Sequence, residues 1–148
     1  MAVRSLIRYS KPAAAESAII FVRVAVGFVF ASEGIQKFLF PDALGVGRFI
    51  KIGIPAPEVM APFVGVVEIV FGLMILIGLF TRLASIPLII NISTAIATTK
   101  FPFLAEHGFW AAAHESRVDL SMLLCLIFLL ISGPGKWSLD RKMAGQSS

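Results

Sequence analysis

Charge is scarce in this chain and cysteine scarcer still, and both shortages narrow what it can be. Only 15% of the 148 residues are Asp, Glu, Lys or Arg, against about 25% in soluble domains. The apolar share is 57% and the mean hydropathy +0.89. One water-soluble core of this length cannot hide so much apolar surface, so the outer face needs lipid as its solvent. The lone cysteine, Cys125, sits in an apolar run as a small packing residue. It excludes an internal disulfide and a C-x-x-C thiol relay. His107 and His114, with Glu106 and Glu115 beside them, match no standard metal-ligand spacing, so no metal site is expected. A Walker loop, a dinucleotide fingerprint and a Gly-x-Ser-x-Gly elbow are all missing. The net charge of +4 comes from basic residues scattered between apolar runs. Nucleic-acid binding needs them gathered on a stripe, so that partner is excluded.

What is present is a series of long apolar runs. A bilayer core of about 30 Å takes roughly 20 helical residues to cross. Four segments qualify: about Ala18 to Phe40, Ala61 to Phe80, Leu83 to Lys100, and Glu115 to Ser132. Barrel strands would alternate in polarity over about ten residues, whereas these runs are continuous. The expected fold is an all-α, four-helix up-down membrane bundle forming a single domain over residues 1–148. The second and third helices meet at Thr81-Arg82 in a tight hairpin, and Gly133-Pro134-Gly135 stops the fourth. Arg4, Arg8 and Lys11 resemble a signal-peptide n-region, but the run after them is too long, Arg23 interrupts it, and no cleavage site follows. It reads as a retained span.

Basic residues accumulate at cytoplasmic ends of spans. Arg4, Arg8, Lys11, Arg82, Lys136, Arg141 and Lys142 fall on one side. Arg48, Lys51 and Arg117 fall on the other, with Lys37 and Lys100 near span ends. Both termini are therefore expected in the cytoplasm, in a multi-pass protein of the inner (plasma) membrane. The segments Phe38 to Met60 and Phe101 to Glu115 would be outer loops.

Ionisable residues inside spans are expensive, and they usually pair and face the bundle interior. At a rise of about 1.5 Å per residue, Glu33, Lys37, Glu68 and Asp119 all fall in the outer half, with Lys100 at the same level. Arg23, Gly27, Phe30, Gly34 and Lys37 share one stripe of the first helix, and Gly65, Glu68 and Gly72 share a face of the second. Small residues let backbones approach closely, which would bring Lys37 near Glu68, with Glu33 in reach of Lys37 at i+4. Glu33, Lys37, Glu68 and Asp119 are thus the candidate ligand-binding group. The competing reading has Lys37, Asp119 and Arg23 snorkelling to the interfaces. Asn91 reads as a hydrogen bond between helices.

These motifs resemble the DoxX family of small bacterial and archaeal membrane proteins. The likeness lies at Arg23, Gly27, Gly34 and Lys37, at Gly65, Glu68 and Gly72, and at Gly78, Thr81 and Arg82. It continues at Gly133, Gly135, Trp137, Ser138 and Asp140, so it spans almost the whole chain. The family takes its name from a subunit of a thiosulfate:quinone oxidoreductase, and other members are associated with thiol redox complexes. The resemblance implies a quinone-linked or redox-complex-associated subunit, with a soluble redox enzyme as partner or a homo-oligomer. In that role Lys37 and Glu68 are the candidate catalytic pair, Lys37 polarising a quinone carbonyl and Glu68 exchanging protons. Arg23, Gly27, Gly34, Gly65, Gly72 and Arg82 would be structural. A membrane anchor without catalysis is the alternative. A small transporter ranks behind it, because no broken-helix pair or inverted repeat is visible.

Overall fold

The computed structural model describes the backbone of residues 12–145 and the side chains of residues 15–145. Arg4, Arg8 and Lys11, counted above on the cytoplasmic flank, lie outside the described residues. The helices in chain order are α1 (Pro12–Leu39), α2 (Val46–Lys51), α3 (Pro57–Ile77), α4 (Thr81–Ala95), α5 (Phe101–His107), α6 (Phe109–Ser132) and α7 (Leu139–Gly145). A π-helical turn, Ile96–Lys100, joins α4 to α5. Among the described residues there is no strand.

Among the described residues, three helical stretches are long and apolar enough to cross a membrane: Ala15–Leu39, Pro57–Ile77 and Thr81–His107. The remaining long helix, α6, carries Glu115, Arg117 and Asp119 in its first half, which lowers its hydropathy there. Large apolar side chains such as Phe21, Phe28, Leu124 and Ile131 stand exposed on the outside. That surface suits lipid and not water.

The helix continues where the sequence suggested a loop. The third apolar run passes through Pro102 to His107 instead of stopping at Lys100, and α6 begins at Phe109, ahead of Glu115. The π turn supplies the reason. A proline ring clashes with the carbonyl one turn earlier and leaves it without a donor. A widened turn over Ile96–Lys100 relieves that clash and lets the helix go on. Hydroxyls of Thr94, Thr98 and Thr99 donate back to the carbonyls of Ile90, Thr94 and Ala95 and occupy acceptors along this stretch. Gly108, at φ 80°, ends α5 and opens α6.

Packing follows the glycine stripes. α1 lies chiefly against α3, and α4 against α6. A Cβ added at Gly27 would stand 2.7 Å from the carbonyl oxygen of Gly72, and one at Gly34 would stand 2.6 Å from that of Gly65. The two helices therefore touch backbone to backbone, which only glycine permits. Val26, Phe30, Ile75, Leu88, Leu126 and Leu129 fill the centre of the bundle.

One end of the bundle is closed by polar side chains that serve helix ends. Buried Arg23 donates from Nε to the Ile75 carbonyl at 2.9 Å and from Nη2 to that of Leu76 at 2.8 Å, capping α3. Its Nη1 donates to Pro134 at 3.0 Å and to the Trp137 carbonyl, holding the chain beyond α6. Asp140 accepts from the N–H groups of Phe80 (2.6 Å) and Thr81 (3.1 Å), capping the start of α4. Arg82 donates to the Ile131 carbonyl at 3.0 Å near the end of α6. Gly78, at φ 73°, has no room for a side chain, since a Cβ there would lie 2.6 Å from the Arg23 guanidinium. Arg23 is thus tied to carbonyls and does not reach out as a snorkelling side chain would.

Candidate functional site

The glycine contact between α1 and α3 sets the first part of the site. One turn beyond Gly34, Lys37 reaches across to α3, with its Nζ 2.6 Å from Glu68 Oε2. From α4, Asn91 donates its amide to the other oxygen, Oε1, at 2.8 Å. Three helices thus meet at one carboxylate that is only 5% exposed. A lone charge so placed is costly, while a paired and fully hydrogen-bonded one is tolerable. Glu68 has a donor on each oxygen.

A second cluster stands on the facing helices. Lys100, in the last position of the π turn, pairs with Asp119 Oδ2 at 3.2 Å and Glu115 Oε1 at 3.3 Å, both on α6. Its ammonium is well buried, whereas Glu115 reaches solvent.

Both clusters line one cavity of about 730 Å³, bordered by α2 and the π turn. That volume falls within the range of about 300–1,000 Å³ typical of small-molecule sites. Much of the wall is apolar, with Phe30, Phe63, Val67 and Met122 among the contributors. α2 adds Arg48 and Phe49 to the wall, and Ile52 follows directly after it. Such a wall, with apolar stretches beside charged clusters, suits an amphiphile.

The structure brings Glu33, Lys37, Glu68 and Asp119 to this one cavity. They are not one network, however, because Asp119 belongs to the Lys100 cluster and Lys37 to Glu68. Glu33 lies on the wall but is exposed, and its i+4 neighbour Lys37 points to α3 instead. Lys100 and Arg48 also line the site and were not among the sequence candidates. Lys100 lies level with the other charges in the sequence, which is the signal that could have included it. Asn91 proves to serve Glu68 directly. Among the described residues no cluster of His, Cys, Asp and Glu is arranged to hold a metal. Arg23 and Arg82 stand at the opposite, hydrogen-bonded end.

An apolar helical bundle with a charged cavity inside it defines a class of membrane protein. The DoxX family model matches residues 18–101, and the chain belongs to that family. An uncharacterized membrane protein of Mycobacterium tuberculosis is 54% identical over 136 residues, covering 88% of this chain and 83% of its own. A Bacillus subtilis protein named "Putative oxidoreductase CatD" is 28% identical over 123 residues, covering 82% and 83% respectively. The Escherichia coli protein named "Inner membrane protein YphA" is 27% identical over 146 residues, covering 92% of this chain and 98% of its own. No solved structure matches the chain.

Proposed function

We propose that this protein is a quinone-linked subunit of a membrane redox complex, with the quinone head group seated in the cavity beside Lys37 and Glu68. The observation that carries the reading is the buried Lys37–Glu68–Asn91 group on the wall of a largely apolar cavity of about 730 Å³. The apolar stretches of the wall suit an isoprenoid tail, and Lys37, one of four basic side chains on that wall, suits a ring bearing carbonyl oxygens. Lys37 donates to a carbonyl oxygen and polarises it. Glu68 holds Lys37 in place and exchanges a proton through their shared hydrogen bond. The relative named as an oxidoreductase is in keeping with redox work, and in this reading a partner supplies the electrons.

In this reading 1–148 is one domain and α6 is the fourth span of an up-down bundle. Lys100 pairs with both its Glu115 and its Asp119 and offsets one of their two charges. The end with Arg82, Lys136, Arg141 and Lys142 faces the cytoplasm, as positive charge favours, and the membrane is the bacterial inner membrane. The soluble redox enzyme docks at this end, where α7 and Trp137 stand exposed. If docking were the whole role, the chain would be an anchor, and Glu68 would be silent in electron transfer.

Purification in mild detergent, extraction of the sample for quinones, and assay of Glu68→Gln separate the two. The quinone reading expects bound quinone and a loss of quinone-dependent electron transfer of at least tenfold in Glu68→Gln. No quinone in the parent protein, together with an unchanged rate in the variant, leaves the anchor reading standing.

A further inference from the structure

The charged groups of the cavity divide into those already engaged and those that are not. Glu68 has Lys37 at 2.6 Å on one oxygen and Asn91 at 2.8 Å on the other. Asp119 and Glu115 hold Lys100 at 3.2 and 3.3 Å. Glu33 is different. It lines the same cavity, its side chain is exposed, and among the described residues it makes no ion pair and no side-chain hydrogen bond. It also lies within Ala15–Leu39, a stretch apolar enough to span a membrane, where a carboxylate without a partner is expensive. A polar group kept there unsatisfied has spare accepting capacity aimed at whatever enters the cavity.

We infer that Glu33 is the ligand-facing acceptor of the site and that the ligand meets it with a neutral hydroxyl, as the reduced, hydroquinone form of a quinone does. The inference rests on the quinone reading above. A carboxylate accepts hydrogen bonds and repels carbonyl oxygens, so Glu33 favours the hydroxylated form over the oxidised one. An organic ammonium also carries donors, but four basic side chains stand against four acidic ones on the cavity wall. That balance gives no net negative potential to draw a cation. A neutral ring with a hydroxyl edge fits both the charge balance and the apolar lining. Lys37 remains the partner of the carbonyl in the oxidised form, so the two groups on neighbouring turns of α1 tell the redox states apart.

The test uses the full chain in detergent micelles under anaerobic conditions, with binding measured by isothermal titration. The probes are a short-tailed ubiquinol, its quinone and the 1,4-dimethyl ether of the same hydroquinone, which keeps the shape and lacks the donors. A charge-assisted hydrogen bond is worth about tenfold in affinity. The parent protein is expected to bind the hydroquinone about tenfold more tightly than the dimethyl ether, and Glu33→Leu to bind the two alike. Glu33→Leu is expected to melt at or above the parent temperature, since no contact is lost and an unpartnered carboxylate leaves the span. Equal binding of hydroquinone and ether by the parent, or a preference that survives Glu33→Leu, overturns the inference and leaves the quinone reading intact. Displacement of the hydroquinone by decylamine at lower concentration overturns the neutral-donor assignment. If none of the three probes binds, the quinone reading falls with it.

Discussion

Replacing Arg23 with Met keeps most of the side chain's length and removes its donors. In the structure Arg23 is 2% exposed and its guanidinium donates to four carbonyls, those of Ile75, Leu76, Pro134 and Trp137. Hydrogen bonds to a charged group contribute about 1.5–3 kcal/mol each, and a carbonyl left buried without a donor costs about 1–3 kcal/mol. The terms are not additive, and water entering at the exposed edge recovers part of the loss. A destabilisation of roughly 4–8 kcal/mol remains. Folded domains have only about 5–15 kcal/mol in all, so Arg23→Met is expected to leave little folded protein. Arg23→Lys keeps the charge, but an ammonium has three donors and no planar fork to span two groups of carbonyls. About half the loss should persist. Unfolding by SDS titration in mixed micelles, followed by circular dichroism, measures both variants. If Arg23→Met unfolds within about 1 kcal/mol of the parent, the carbonyl clamp stabilises nothing and the account of this end is wrong.

Gly34→Val is expected to force α1 away from α3, because its Cβ would lie 2.6 Å from the Gly65 carbonyl oxygen, a backbone atom that cannot swing aside. Overpacking of this kind costs about 1–3 kcal/mol, and a melt unchanged from the parent would refute the backbone contact. Lys37→Met leaves Glu68 buried without its cation and should cost about 3–5 kcal/mol. Adding Glu68→Gln, which keeps an acceptor for Asn91, should recover most of that in the same titration. Equal losses in the single and double variants would mean that the unpaired Glu68 carboxylate is not the source of the loss.

How much of this was visible in the sequence depends on the range of the interaction. The close approach of α1 to α3 was readable, because glycines recurring with helical spacing on both runs leave a flat face on each. Once two such faces touch, Lys37 and Glu68 have little choice but to meet. Arg23 was harder. Its sequence position near the start of a span suggested headgroups, yet its partners lie 52 to 114 positions away and are backbone carbonyls, which carry no signature of their own. The helix through Pro102 was hidden for a similar reason, since a π turn is a response to local crowding and not a composition. Glu33 and Lys37 looked like an i+4 pair, but the better-placed acceptor was on another helix.

The two ends of the bundle are stabilised by different means, and this difference bears on ligand entry. At the Arg23 end, side chains saturate helix termini, and opening it would expose several carbonyls and N–H groups at once. Along α1 and α3 the backbones are in contact, so neither helix can slide without breaking that fit. At the cavity end the Gly34–Gly65 contact still holds α1 to α3, but the other walls have neither restraint. Its wall includes α2, which is short and rests mainly on α3, and a π turn that departs from regular helical pairing. Local opening draws on the segments with the fewest buried contacts. A change of cavity shape therefore costs least at α2 and the π turn. These elements supply Arg48 and Lys100 to the cavity wall, so two of its four cations sit on the parts of the fold that can yield.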